Sequence, residues 1–132
     1  MPTQAATNNK MAMVVGSPIM SAFISFFVGT IALFVYVLIS GIPLSSIAAA
    51  KEAPAIAWIG GLLGAFFVTA AVTLVPRLGV ALTFSLVIAG QMIVTLIIDH
   101  FGLLGVPEKA VSPARIGGVL LIMAGVVLIR RF

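Results

Sequence analysis

The chain has 132 residues, of which 62% are hydrophobic and only 8% are charged, and this excludes an ordinary soluble domain. The net charge of +4 comes from seven basic residues that form no long run, so nucleic-acid binding is excluded as well.

Long uncharged stretches predict four membrane-spanning helices. A spanning helix needs about 20 apolar residues, and a lipid core accepts only backbone that satisfies its own hydrogen bonds. The predicted spans cover about residues 18–40, 55–75, 79–98 and 113–132. We therefore expect an all-α integral membrane protein with a single transmembrane domain over residues 1–132.

Local signals mark where the spans begin and turn. Ser17-Pro18 and Ser112-Pro113 each place an N-cap serine before a proline that suits the first helical position. Gly41-Ile42-Pro43 stops the first long span. The stretch 76–79 is too short for anything except a tight turn, which predicts an antiparallel pair of the second and third spans.

Small residues recur at four-residue spacing and predict helix packing faces. In lipid, such positions allow helix backbones to approach closely. The glycines concerned are Gly60, Gly64, Gly61, Gly117 and Gly125.

The basic residues divide almost evenly between the two sides of the membrane. With alternating spans, the two groups are Lys10, Arg77, Arg130 and Arg131 against Lys51, Lys109 and Arg115. A difference of one gives almost no orientation under the positive-inside rule. This predicts dual topology with an antiparallel dimer; the alternative is a single orientation set by features such as Arg130-Arg131.

Six ordered clusters along the chain resemble the YdcZ family of the drug/metabolite transporter superfamily. They are Pro2-Thr3-Gln4-Ala5-Ala6-Thr7-Asn8, Gly16-Ser17-Pro18, Ile24-Ser25-Phe26-Phe27-Val28-Gly29-Thr30, Trp58-Ile59-Gly60-Gly61-Leu62-Leu63-Gly64-Ala65, Gly90-Gln91 and Ile98-Asp99-His100-Phe101-Gly102-Leu103. The resemblance implies a bacterial inner-membrane protein, usually of five spans. It also implies a dual-topology homodimer, a pair with an oppositely oriented paralogue, or a fused chain.

One departure from that family concerns residues 1–16. The family places the Pro-x-Gln-x-x-x-Asn cluster late in a first span, after a dozen or so apolar residues, whereas here Met1 directly precedes Pro2. Residues 1–16 are therefore expected to be the remnant of a truncated first helix, unless the start of the chain was assigned too late.

Few residues are available for catalysis. Three acids, one histidine and no cysteine occur, and no phosphate loop, metal-ligand spacing or nucleophile elbow is present. We expect no enzyme, no cofactor and no metal. The hydroxyls of Ser25 and Ser85 are expected to bond the carbonyl one turn back.

Polar groups at membrane depth are costly and usually face a cavity or a helix partner. Gln91 lies near the middle of the third span, with Thr95 and Asp99 following at one-turn intervals. This stripe predicts either a polar pathway or an interhelical hydrogen bond. Asp99 and His100 are candidates for ion coupling, because His exchanges protons near neutral pH, although a helix end commonly carries such residues.

The predicted function is transport of a small organic molecule by alternating access at a dimer interface. Gln91, Asn8, Gln4, Ser25 and Thr95 are predicted to line the substrate pathway. Membrane lipid and a homodimeric or heterodimeric partner are expected. The alternatives are a proton/organic-cation antiporter of the small multidrug resistance type and a non-transporting membrane subunit.

Overall fold

The computed structural model describes residues 1–132 and is entirely helical, without strands. Its α-helices are α1 Pro2–Val15, α2 Pro18–Ile39, α3 Ser46–Ala49, α4 Ala55–Leu78, α5 Val80–Phe101 and α6 Pro113–Arg131, with short 3-10 turns at Ala50–Glu52 and Leu103–Gly105. The chain divides into two compact units, Met1–Arg77 and Leu78–Phe132.

Four helices are long and apolar enough to cross a membrane. They are α2 with 22 residues, α4 with 24, α5 with 22 and α6 with 19. At 1.5 Å per residue, the shortest is about 28 Å long and the longest about 36 Å, which matches a hydrocarbon core of about 30 Å. The predicted class, an all-helical protein with four spans, is confirmed.

In the first unit, α1 and α2 form a tight helical hairpin. α1 ends at Gly16, whose φ of 71° is the left-handed conformation of a helix C-cap. Ser17 then caps α2 by accepting a hydrogen bond from the Met20 N–H at 3.3 Å, and Pro18 takes the first helical position. The predicted start signal of this span is therefore confirmed.

The α1–α2 contact is built from small side chains. Ala5, Asn8 and Ala12 are buried at helical spacing on one face of α1, and Ser21 and Ala22 are the buried residues of α2. Ala12 and Ala22 join Val68 and Val72 of α4 in one apolar cluster. The small residues on α1 and α2 permit the close approach of these helices.

The second unit consists of α5, a structured loop and α6. α5 begins after Gly79, whose φ of 79° favours glycine, and ends at Gly102 with φ 57°. Ser112 caps α6 by accepting from the Arg115 N–H at 3.3 Å, with Pro113 at the first helical position. This second predicted start signal is confirmed as well.

Two predicted helix ends are too early. α4 continues through Pro76 and Arg77 to Leu78, and α5 continues through Asp99 and His100 to Phe101. The predicted ends lie before Pro76, which is expected to turn the chain, and before Asp99, which is charged. Each helix instead ends next to a glycine with positive φ, because backbone conformation and not polarity terminates the hydrogen-bond ladder.

Candidate functional site

A cavity of about 520 Å³ lies between α1 and α2. Its lining residues are Thr7, Asn8, Lys10, Met11, Val14, Ser21, Ile24, Ser25 and Val28. Ligand sites in proteins commonly measure about 300–1,000 Å³ and combine an apolar lining with a few polar groups. This cavity has that size and that composition.

Asn8 is the most unusual side chain of the cavity. The residue is only 7% exposed, and its Nδ2 is buried without a hydrogen-bond partner. Its backbone carbonyl, in contrast, accepts a hydrogen bond of 2.6 Å from the Ser21 hydroxyl of α2. Buried polar groups without partners are rare and costly, so the amide of Asn8 is a group for which the monomer supplies no partner.

Ser25 connects this cavity to a second one of about 230 Å³ on the same hairpin. The smaller cavity is lined by Gln4, Ser25, Phe26, Gly29, Thr30 and Leu33. Gln4 and Asn8 lie one helical turn apart on α1, so both contribute to the groove along α2. Three of the residues predicted for the substrate pathway, Gln4, Asn8 and Ser25, thus line adjoining cavities.

The hydroxyl of Ser25 makes no hydrogen bond to the carbonyl one turn back. Thr30 and Thr73 do make this bond, at 2.8 Å each, and Thr83 makes it at 2.7 Å. The expected back-bonds of Ser25 and Ser85 are therefore wrong for this structure. Ser25 keeps its hydroxyl available toward the two cavities that it lines.

Gln91 and Thr95 lie together on α5, in the second unit. With Gly90, Met92 and Val94 they line an open groove of about 440 Å³ on the helix surface, and both polar side chains are exposed. Two members of the predicted stripe, Gln91 and Thr95, thus line the same groove, whereas the third, Asp99, does not line it. Whether it lines the pathway stays a prediction.

Asp99 and His100 hold the loop between α5 and α6. The Asp99 carboxylate pairs with Arg115 at 3.3 Å, and its backbone carbonyl accepts from the Lys109 N–H at 2.8 Å. His100 Nδ1 accepts from the Val111 N–H at 3.4 Å. Both side chains thus have structural partners, and ion coupling by either one stays a prediction.

Among the glycines predicted to pack, Gly64 has a neighbour within the chain. A Cβ at Gly64 would lie 3.5 Å from the Phe26 ring of α2, an ordinary van der Waals contact. The positions Gly60, Gly61, Gly117 and Gly125 face open space. These four leave room for an approaching helix, and their packing role stays a prediction.

Lys10 and Ser21 belong to the cavity but were missed from the sequence. Lys10 was assigned only to the charge balance between the two sides of the membrane. Its place in the cavity follows from helical spacing, because Thr7, Lys10, Met11 and Val14 recur on one side of α1. Ser21 had no sequence signal, since its bond to the Asn8 carbonyl depends on how the two helices pack.

Four apolar helices of spanning length, together with a largely apolar cavity, define a multi-pass integral membrane protein. A protein family described as "Putative inner membrane exporter, YdcZ" matches residues 1–128. The chain therefore belongs to the YdcZ family and is a multi-pass inner-membrane protein.

One curated relative also matches. Over 73 residues the chain is 37% identical to "Inner membrane protein YdcZ" of Escherichia coli (strain K12), a match that covers 55% of this chain and 49% of that protein. The match thus spans about half the length of the curated relative. No solved structure matches the chain significantly.

Proposed function

We propose that this protein exports a small organic molecule across the inner membrane and that the molecule passes through the cavity between α1 and α2. The observation that carries this proposal is the buried, unpartnered amide of Asn8 in a cavity of ligand size. A protein that only needed to pack α1 against α2 would gain from an apolar residue at this position, because an unsatisfied buried amide costs about 1–3 kcal/mol.

The polar face of α5 fits the same function. Gln91 and Thr95 are exposed on a spanning helix, where contact with lipid leaves polar groups without partners. In a dimer of oppositely oriented copies, or in a pair with an oppositely oriented paralogue, this face would lie against another chain. Such inverted pairs form substrate sites near the bilayer midplane and work by alternating access.

A proton/organic-cation antiporter of the small multidrug resistance type fits less well. That mechanism requires a carboxylate deep within a span that is free to exchange protons with substrate. No acidic residue lines the α1–α2 cavities, and Asp99, at the end of α5, is paired with Arg115. Glu52 lies in the 3-10 turn before α4, and Glu108 lies in the loop before α6.

The proposal is tested by transport into liposomes that contain the purified protein. The panel comprises organic anions, organic cations, sugars and amino acids, each with and without a proton gradient. We expect saturable flux of one class, with loss of flux in Asn8→Leu and in Gln91→Leu. Asn9→Leu is the matched control, because Asn9 lines a different groove, next to Pro76 and Arg77.

Two results would contradict the proposal. The first is no flux of any compound, by current or by radiolabel, from protein that is folded and inserted. The second is full flux in Asn8→Leu, which would remove the cavity from the pathway. The first result would favour a non-transporting membrane subunit.

A further inference from the structure

The α1–α2 cavity is lined by one charged side chain, and its charge is positive. Lys10 is the one ionisable residue among the nine that line it, and no acidic residue lines either this cavity or the adjoining one. Lys10 is exposed, and its positive charge attracts a negative ligand group and repels a positive one, more strongly where less water lies between the charges. The cavity therefore favours a negative group and disfavours a positive one.

The polar groups of the cavity can also donate hydrogen bonds. Lys10 is a donor only, and the Ser25 hydroxyl makes no bond within the hairpin. In the structure the Asn8 Nδ2 is the buried, unpartnered end of the amide. Rotation about χ2 exchanges the two ends, and this turns the N–H donors toward the cavity and leaves the oxygen in the buried position.

That rotation is favourable on general grounds. A buried carbonyl oxygen without a partner is tolerated more often than a buried N–H group without one. A ligand oxygen that accepts from the rotated amide would then satisfy the donor that the monomer leaves unpaired. The Asn8 amide thus favours a ligand with a hydrogen-bond acceptor, and the positive charge of Lys10 favours an acceptor group that is negatively charged.

The rest of the wall is apolar. Met11 and Val14 of α1 and Ile24 and Val28 of α2 line it. An apolar part of a ligand would gain free energy by contact with these four side chains. Sugars and other polyhydroxylated molecules lack the apolar body that this wall would cover.

From these observations we infer that the ligand of this cavity is an amphipathic organic anion, with an apolar body between α1 and α2 and a carboxylate held by Lys10 and Asn8. The inference rests on the proposed function, since it names the class of molecule that the exporter would carry. It adds the sign of the charge, the acceptor group and the two residues that recognise them.

The test compares three probes with the same apolar body: phenylbutyrate, phenylbutyramide and phenylbutylammonium. Binding to the purified chain is measured by equilibrium dialysis in nanodiscs of phosphatidylcholine, and empty nanodiscs correct for partition into lipid. We expect saturable binding of phenylbutyrate about tenfold tighter than of the amide, because a charge-assisted hydrogen bond is stronger than a neutral one. The ammonium probe is expected to show no saturable binding.

Two variants test whether Lys10 and Asn8 recognise the carboxylate of the probe. Lys10→Gln should weaken phenylbutyrate about tenfold and leave the neutral amide unchanged, whereas Asn8→Leu should weaken both probes about fivefold. Lys51→Gln, in the turn before α4, and Asn9→Leu are the matched controls and should bind like the parent chain. Unfolding temperatures verify that each variant is folded.

The inference is overturned if phenylbutylammonium binds as tightly as phenylbutyrate, if neither Lys10→Gln nor Asn8→Leu changes the affinity, or if folded protein binds none of the probes. These results can be separated from failure of the proposed function. Flux of an organic cation or a sugar in the liposome panel would keep the exporter and reject the anionic ligand. Binding of phenylbutyrate without flux of any compound would keep the site and reject the exporter.

Discussion

Hydroxyl groups on the long helices differ in what they bond, and the difference separates structural residues from candidate site residues. Thr30 and Thr73 each satisfy their hydroxyl within their own helix, and Thr83 bonds the carbonyl of Gly79, the N-cap of α5. The Ser21 hydroxyl instead crosses from α2 to the Asn8 carbonyl of α1. Ser25, one turn after Ser21, bonds nothing and lines two cavities.

This difference predicts that serine-to-alanine substitutions at the two positions change different properties, stability at Ser21 and flux at Ser25. Ser21→Ala removes a fully buried hydrogen bond between helices and should lower the free energy of unfolding by about 1 kcal/mol. Ser25→Ala removes no bond and should leave stability unchanged while it reduces flux. Thermal unfolding of both variants in the same detergent measures the first effect. Equal destabilisation by the two substitutions would contradict the hydrogen-bond assignment.

At this scale the sequence indicated three polar residues that line the adjoining cavities, Gln4, Asn8 and Ser25, but not what they bond, and their role in a substrate pathway stays a prediction. Ser25 stands out because polar side chains are rare within apolar spans, whereas Gln4 and Asn8 lie in the more polar helix α1 and are indicated by the resemblance to the YdcZ family. The unpaired state of the Asn8 amide depends on the rotation of α1 against α2. That rotation is decided by the packing of Ala5, Ala12 and Ala22, which carry no polar signal of their own.

Among the helices, starts were predicted more accurately than ends. Ser17-Pro18 and Ser112-Pro113 combine a side-chain cap with a proline, and both caps are made in the structure. Ends depend on which glycine takes a left-handed conformation. The prediction ends the third span before Asp99, although Gly102 belongs to the cluster that follows, because hydropathy alone does not report the backbone conformation.

The end of α5 leads to a prediction about Asp99. The Asp99 carboxylate and the Arg115 guanidinium are each about one-third exposed and 3.3 Å apart, and Arg115 also donates to the Lys109 carbonyl. A partly exposed ion pair contributes about 0.2–1 kcal/mol, so Asp99→Asn should lower the unfolding temperature slightly. If Asp99 serves only to hold this loop, proton-dependent flux in liposomes should persist in that variant.

The matched control is Glu108→Gln. This substitution also neutralises an acidic residue of the α5–α6 loop, but Glu108 makes no ion pair within the chain. Complete loss of proton dependence in Asp99→Asn, with folding and Glu108→Gln unaffected, would instead assign ion coupling to Asp99. In that case the antiporter alternative would gain the carboxylate that it needs.

For the whole molecule, the four spans follow directly from hydropathy, whereas the assembly does not. Gly60, Gly61, Gly117 and Gly125 leave open space beside their helices, and Gln91 and Thr95 are exposed on α5. A single sequence gives the periodicity of such faces but not what covers them. The near-even division of basic residues nevertheless predicts that copies insert in both orientations.

Cysteine labelling tests that prediction, because the natural chain has no cysteine. Ala110→Cys lies in the exposed loop before α6, and Ser46→Cys lies at the start of the short helix α3, between α2 and α4. Under dual topology, a membrane-impermeant maleimide applied to intact cells should label about half of each variant. Complete labelling or none would show a single orientation and would contradict the antiparallel dimer.

The central claim is that the transported molecule passes through the cavity between α1 and α2, and blocking this cavity tests it most directly. Ser25→Cys places the single thiol of the chain where both cavities meet. Flux is measured in liposomes before and after reaction with a bulky maleimide. Ser40→Cys, at the end of α2 and outside both cavities, is the control.

We predict that labelling Ser25→Cys abolishes flux, that the transported compound slows this labelling, and that labelled Ser40→Cys retains full flux. Fully labelled Ser25→Cys that transports as fast as the unlabelled protein would contradict the account.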